Sequence, residues 1–166
     1  MDEKNRRTVF ISYIHDDKEA ATTLAEFIKK LGLKPIVLDE QPSKGQTIID
    51  KFEEHADEAG FAIVLLTPDD VGSSKATGER RLRARQNVIL ELGYFFGSLG
   101  SERVCALYKG GVELLSDISG LIYIPMDSDN NWQLKIGKEM MNAGLPVESQ
   151  ERPVEEPLHY HEEVAI

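Results

Sequence analysis

One cysteine, one tryptophan and four histidines are all that the 166-residue chain holds of those residue types. A single thiol, Cys105, excludes an internal disulfide framework and fits a reducing compartment. Its setting in "RVCALY" reads as a buried strand, so the thiol is expected to be an inert core group rather than a nucleophile. Long apolar runs are missing too. None approaches the ~20 residues of a membrane span, and "MDEKNRRTVF" carries no apolar signal segment. A cytoplasmic location away from membranes is the expectation. Positive charge is also short, with 19 Lys and Arg against 29 Asp and Glu for a net charge of −10. Binding to a nucleic-acid polymer depends on phosphate neutralisation, so so acidic a chain is a poor candidate for it. No metal is expected either, because His159 and His161 lie on a polar tail, where histidines are more often solvated than ligating.

What is present suits one soluble α/β domain. Hydrophobic residues make up 41% and charged residues 29%, ordinary values for a chain that can bury a core without staples. The charge is uneven. Residues 147–166 hold six glutamates against Arg152 alone, about half of the net charge. Arg80, Arg81, Arg83 and Arg85 fall within six residues and are four of the eight arginines in the chain. Such a cluster can hold one anionic ligand. It can equally be a solvated loop that balances nearby acids.

Five apolar runs alternate with amphipathic segments, the pattern of a mostly parallel sheet covered on both faces. The runs are "TVFISY" (8–13), "PIVL" (35–38), "FAIVLL" (61–66), "RVCALY" (103–108) and "LIYI" (121–124). Ala21, Leu24, Ala25, Ile28 and Leu31 make one helical stripe, with Asp16 and Glu19 spaced as a capping box before it and Gly32 placed to end it. A second helix is expected to present Ile48, Phe52, His55 and Ala59, with Thr47 as its cap and Asp50 as its third residue. A last helix covers about residues 130–143 through Trp132, Ile136 and Met140. Residues 1–146 thus form the domain. Residues 147–166, with two prolines, many charges and no period, read as an acidic linker or tail.

Ligands of open parallel sheets bind beyond the carboxyl ends of the strands, where the strand order reverses. Three loops leave such ends: "SYIHDD", "DEQPSKGQT" and the long "TPDDVGSSKATGERRLRAR". "PSKGQT" lacks the full P-loop spacing, and Gly45 reads as a turn residue before the Thr47 cap. In a helix over residues 85–99, Val88, Ile89, Leu92, Phe95, Phe96 and Leu99 form the apolar stripe. Glu91 falls just beside that stripe, at the boundary between core and water. An ordinary surface glutamate and a partly desolvated functional carboxylate are both compatible with that position.

In order along residues 8–145 stand "VFISYIHDD", "GQTIIDKFEE", "AIVLLTPDD", "RARQNVILELGYFFG" and "ERVCALYKGGVELLSDISGLIYIPMD". Together they resemble the bacterial TIR-like (Toll/interleukin-1 receptor) domains of the predicted nucleotide-binding group, found as effectors in cyclic-nucleotide-activated anti-phage systems. The resemblance implies a flavodoxin-like three-layer α/β sandwich with a five-stranded parallel sheet in the order 2-1-3-4-5. It implies cleavage of NAD, as substrate and with no further cofactor, to nicotinamide and linear or cyclic ADP-ribose. By position, Glu91 matches the family's catalytic glutamate. Ser12 and Tyr13 match the loop that contacts substrate, and Asp39 and Gly45 lie in the loop that closes over the nucleotide or docks a neighbouring subunit. Arg85 and Asn87, about two turns and one turn before Glu91, are placed to meet the dinucleotide. Ile14 and His15 stand where some animal relatives have basic residues, which leaves a phosphate contact from the first loop unsupported. The implied partners are further copies of the domain and a cyclic-nucleotide-sensing domain or protein.

Two other functions remain compatible with these residues. Many TIR domains act by self-association without catalysis, and a related α/β fold uses a glutamate as nucleophile in nucleoside deoxyribosyltransferases. A phosphoacceptor receiver domain fits less well, because "YIPMD" stands where Lys-Pro is expected.

Overall fold

A computed structural model describes residues 6–13, 15–39, 47–116 and 120–148. Gly45, Ile14 and the tail histidines lie outside these described residues. The five apolar runs form one parallel sheet: β1 (Thr8–Tyr13), β2 (Lys34–Asp39), β3 (Ala59–Leu66) and, after two further short strands, β6 (Val104–Tyr108) and β7 (Ile122–Pro125). Their order is β2-β1-β3-β6-β7, which is 2-1-3-4-5 in chain order and matches the flavodoxin-like expectation. Every residue of β1 and β3 is buried, as expected of central parallel strands covered on both faces. The order reverses between these two strands, so the crevice at their carboxyl ends is the switch point of the sheet.

Side-chain alternation divides β1 between two layers. Val9, Ile11 and Tyr13 pack with Leu24 and Ile28 of α1 (Lys18–Lys30) and with Trp132, Ile136 and Met140 of α4 (Asn131–Asn142). Phe10 packs on the other face with Phe52 of α2 (Ile48–Glu54) and Val88, Leu92 and Phe95 of α3 (Gln86–Leu99). Val147 joins the first layer, and the Glu148 N–H donates to the Leu31 carbonyl at 2.9 Å. Among the described residues, no helix is long and apolar enough to cross a membrane.

The helix ends show where local signals hold and where tertiary contacts override them. Gly32, at φ 77°, closes α1 as expected, with Gly32 N–H donating to Lys29 O and Leu33 N–H to Ile28 O. The expected Asp16–Glu19 box at its start does not form. A 3-10 turn, His15–Asp17, precedes the helix, and its cap residue Asp17 makes no side-chain cap bond. The Asp17 carboxylate instead accepts from Thr67 Oγ1 across the switch point, and Asp16 lies 3.6 Å from Arg85. Thr47 and Asp50 do form a reciprocal box on α2, which holds the Asp50 carboxyl below its usual value through the backbone bond from Thr47. That helix stops at His55 rather than running on to Ala59. Ala59 is already the first residue of β3, paired with Thr8. Next to it, Gly60 lets the chain pass 2.8 Å from the Arg6 carbonyl, measured from where a Cβ would stand.

The stretch after β3 is not the loop expected from its composition. It folds into an exposed antiparallel hairpin, β4 (Asp70–Ser73) against β5 (Arg80–Arg83). Val71 pairs with Leu82 in register, and the Glu113 N–H donates to the Leu82 carbonyl at 2.7 Å, which ties the hairpin to the segment after β6. Two apolar residues among arginines leave no alternation for sequence reading to detect.

Candidate active site

Helix α3 begins near the strand carboxyl ends and runs back across the sheet, which brings Glu91 into its second turn beneath the switch point. The residue is not at the boundary. It is 7% exposed, in the same inward set as Val88, Leu92 and Phe95. Sequence geometry places it beside the apolar stripe but cannot show what the flank of α3 meets. That flank meets β1: Ser12 Oγ donates to Glu91 Oε2 at 2.6 Å. The two residues are 79 positions apart, and their pairing has no local signature in the sequence. Burying a carboxylate is costly unless it is hydrogen-bonded, and Ser12 supplies such a bond.

The other expected site residues are spread around this pair. Tyr13 is 4% exposed and, by strand alternation, belongs to the α1/α4 layer on the opposite face. Asp39 ends β2 in register with Tyr13. Arg85 is the cap residue of α3 and bridges Asp16 at 3.6 Å and Asp70 at 3.8 Å, joining the turn after β1 to the hairpin. Asn87 is exposed one turn before Glu91, and with Arg85, Gln86 and Asp70 it lines a cavity of about 360 Å³. A hollow of about 560 Å³ lies between the start of α3 and Glu113–Ser116, lined by Ile89, Leu114 and Leu115. Its lining does not include Glu91. Cys105 is buried, and that burial pushes its thiol well above the ordinary range, in keeping with an inert core group.

A polar cluster at the strand ends was not visible in the sequence. Thr67, 2% exposed just past β3, places its hydroxyl 2.5 Å from Asp17 Oδ2 and also against the Asp69 carboxylate. Lys109, just past β6, lies 4.0 Å from the other Asp17 oxygen. The available signal was a hydroxyl residue directly after a long apolar strand at the switch point.

Like Arg85, Arg81 and Arg83 of the cluster balance nearby acids. Arg83 Nε donates to Glu113 at 2.6 Å, and Arg81 spans Glu113 at 3.4 Å and Glu79 at 3.3 Å. Arg83, chiefly through its hydrogen bond, holds the Glu113 carboxyl below its usual range. The stabilisation from that lowered carboxyl is present at neutral pH and lost as pH falls through the depressed value. It is small for an exposed pair. Replacing Arg81 and Arg83 together by alanine is expected to shift the melting temperature by about 2 °C or less. A fall several times larger would make the hairpin part of the folding core.

Comparison with known proteins places these residues in context. Residues 8–128 match the family described as "CAP12/Pycsar effector protein, TIR domain". The uncharacterized protein YuaY of Escherichia coli (strain K12) is 46% identical over 140 residues, which are 84% of this chain and 46% of YuaY. Protein tirC of Dictyostelium discoideum is 32% identical over 134 residues, 75% of this chain and 66% of that protein. The Pycsar effector protein BcPycTIR of Burkholderia cepacia is 36% identical over 93 residues, 54% of this chain and 30% of its own length. The chain therefore spans from about a third to two thirds of these relatives.

Proposed function

Since this chain belongs to the TIR-domain family of CAP12/Pycsar effector proteins, we propose that it is the catalytic domain of an anti-phage effector that cleaves NAD to nicotinamide and a linear or cyclic ADP-ribose. The observation that carries the reading is the buried Glu91 carboxylate, anchored by Ser12 at the switch point of the sheet.

A single carboxylate is enough for this reaction. Most glycosidases need an acid to protonate a poor leaving group and a second carboxylate besides. Nicotinamide departs from NAD as a neutral base: the bond from the ribose anomeric carbon to the pyridinium nitrogen breaks, and its electron pair stays on nitrogen. Positive charge then develops on the ribose; water adds there and releases a proton to give the linear product, or the substrate's own adenine ring nitrogen adds there and the ring releases a proton to give the cyclic one. A carboxylate ~4 Å from that charge contributes about 4 kcal/mol at an effective dielectric of 20. This corresponds to roughly a thousandfold in rate. Burial strengthens the effect by excluding solvent that would screen it. Tyr13, Asp39, Gly45, Arg85 and Asn87 are the proposed surroundings of the dinucleotide.

Activity is proposed to depend on self-association, with a cyclic-nucleotide-sensing domain or partner setting the degree of assembly. Nicotinamide release should therefore rise more steeply than linearly with protein concentration. A strictly linear rate from a demonstrated monomer would remove the assembly requirement. No release at any concentration from assembled protein would remove the enzymatic reading and leave a non-catalytic interaction module.

A further inference from the structure

We infer that Ser12 is a positioning residue, holding the Glu91 carboxylate in one orientation rather than donating to substrate. The inference rests on the Glu91 reading above for its catalytic consequence, but the pairing itself stands on geometry.

Ser12 is fully buried at the penultimate position of β1, with Leu38 of β2 and Val64 of β3 as its register partners. A core position flanked by two apolar strands suits valine or alanine, and a hydroxyl there destabilises unless it is satisfied. The 2.6 Å bond to Glu91 Oε2 satisfies it, at the short length of a hydroxyl bound to a carboxylate. A serine hydroxyl has one hydrogen. While that hydrogen is held by Glu91, the oxygen can only accept from another group, so Ser12 is not a donor to the ribose or phosphates. Alternation along β1 directs Ser12 toward the α2/α3 layer, where Glu91 lies, and Tyr13 toward the opposite layer. The anchor is also rigid, because β1 is the second strand of the sheet with a ladder on each side. A functional group is held more precisely from such a strand than from a loop.

The test compares the full chain with its Ser12→Ala variant, which removes one oxygen and adds no volume. Two readouts are used: kcat and KM for nicotinamide release under assembled conditions, and NMR titration of the Glu91 side-chain carboxyl carbon without substrate. A positioning role predicts a tenfold to hundredfold fall in kcat, the loss of about one charged hydrogen bond, with KM changed by no more than about twofold. The Glu91 titration should also move to higher pH, because the donor favours the charged form. A rise in KM at constant kcat would make Ser12 a substrate contact and overturn the inference. So would an unchanged titration. If the wild type cleaves no NAD at all, the titration decides alone: an upward shift keeps the Ser12–Glu91 pairing while the NAD reading fails.

Discussion

Nicotinamide release is expected to fall by about a thousandfold when Glu91 is replaced by alanine, with the domain remaining folded. Two opposing effects keep the stability change modest. Removing a buried carboxylate relieves its desolvation cost, while the Ser12 hydroxyl loses the partner it now has at 2.6 Å. The informative companion is Glu91→Gln. Glutamine keeps the length, and its carbonyl oxygen can still accept from Ser12, so the anchor survives and only the negative charge is lost. If stabilisation of the ribosyl cation is the main role of Glu91, the glutamine variant is nearly as inactive as alanine. A glutamine variant that retains a tenth or more of the rate would assign Glu91 to orienting the ribose hydroxyls. Full activity in a folded alanine variant would end the assignment and, with it, the preference for an enzyme over an adaptor.

The second large effect is on stability. Phe52→Ala should destabilise the domain by about 3–5 kcal/mol, read as a fall in melting temperature of roughly 10 °C or more. Helix α2 has only seven residues, too few to be stable by itself, so its tertiary contacts must hold it. Phe52 is 1% exposed and is the centre of those contacts. Its ring meets Phe10 of β1 at 4.9 Å and Phe95 of α3 at 5.0 Å, with Tyr94 at 5.7 Å, all edge to face. Tyr94 adds a hydrogen bond from its hydroxyl to Glu53 of the same short helix. Phe52→Leu keeps most of the volume and should lose markedly less. A melting shift of only 2–3 °C in the alanine variant would mean that α2 is held by something other than this ring cluster.

The parts of the fold legible in the sequence are those where burial dictates composition. A strand covered on both faces must be apolar throughout, so β1 and β3 stand out as runs, and α4 shows its inward face through Trp132, Ile136 and Met140. The Thr47–Asp50 cap was legible because both partners are local. The start of α1 departs from its local signal because the carboxylates of Asp16 and Asp17 have distant partners, Arg85 and Thr67. The β4–β5 hairpin left no pattern because its strands are short and exposed on the surface. At the candidate site, helical spacing located Glu91 to within one flank of α3, and resemblance to TIR domains singled it out. Its burial and its bond to Ser12 depend on two elements meeting across the sheet, which no window of sequence contains.

The Glu148 hydrogen bond to Leu31 has a practical consequence. Leu31 is the C-cap residue of α1, at the end of the domain where β2 begins, while Glu91 and Ser12 lie near the end where β1 finishes. The described residues therefore end at the opposite end of the sheet from the carboxylate, separated from it by about the length of a six-residue strand, roughly 20 Å. A tether attached at Glu148 itself, to a bead, a surface or a fluorophore, would hold the domain with its strand tips facing outward and the Ser12–Glu91 pair directed away from the support.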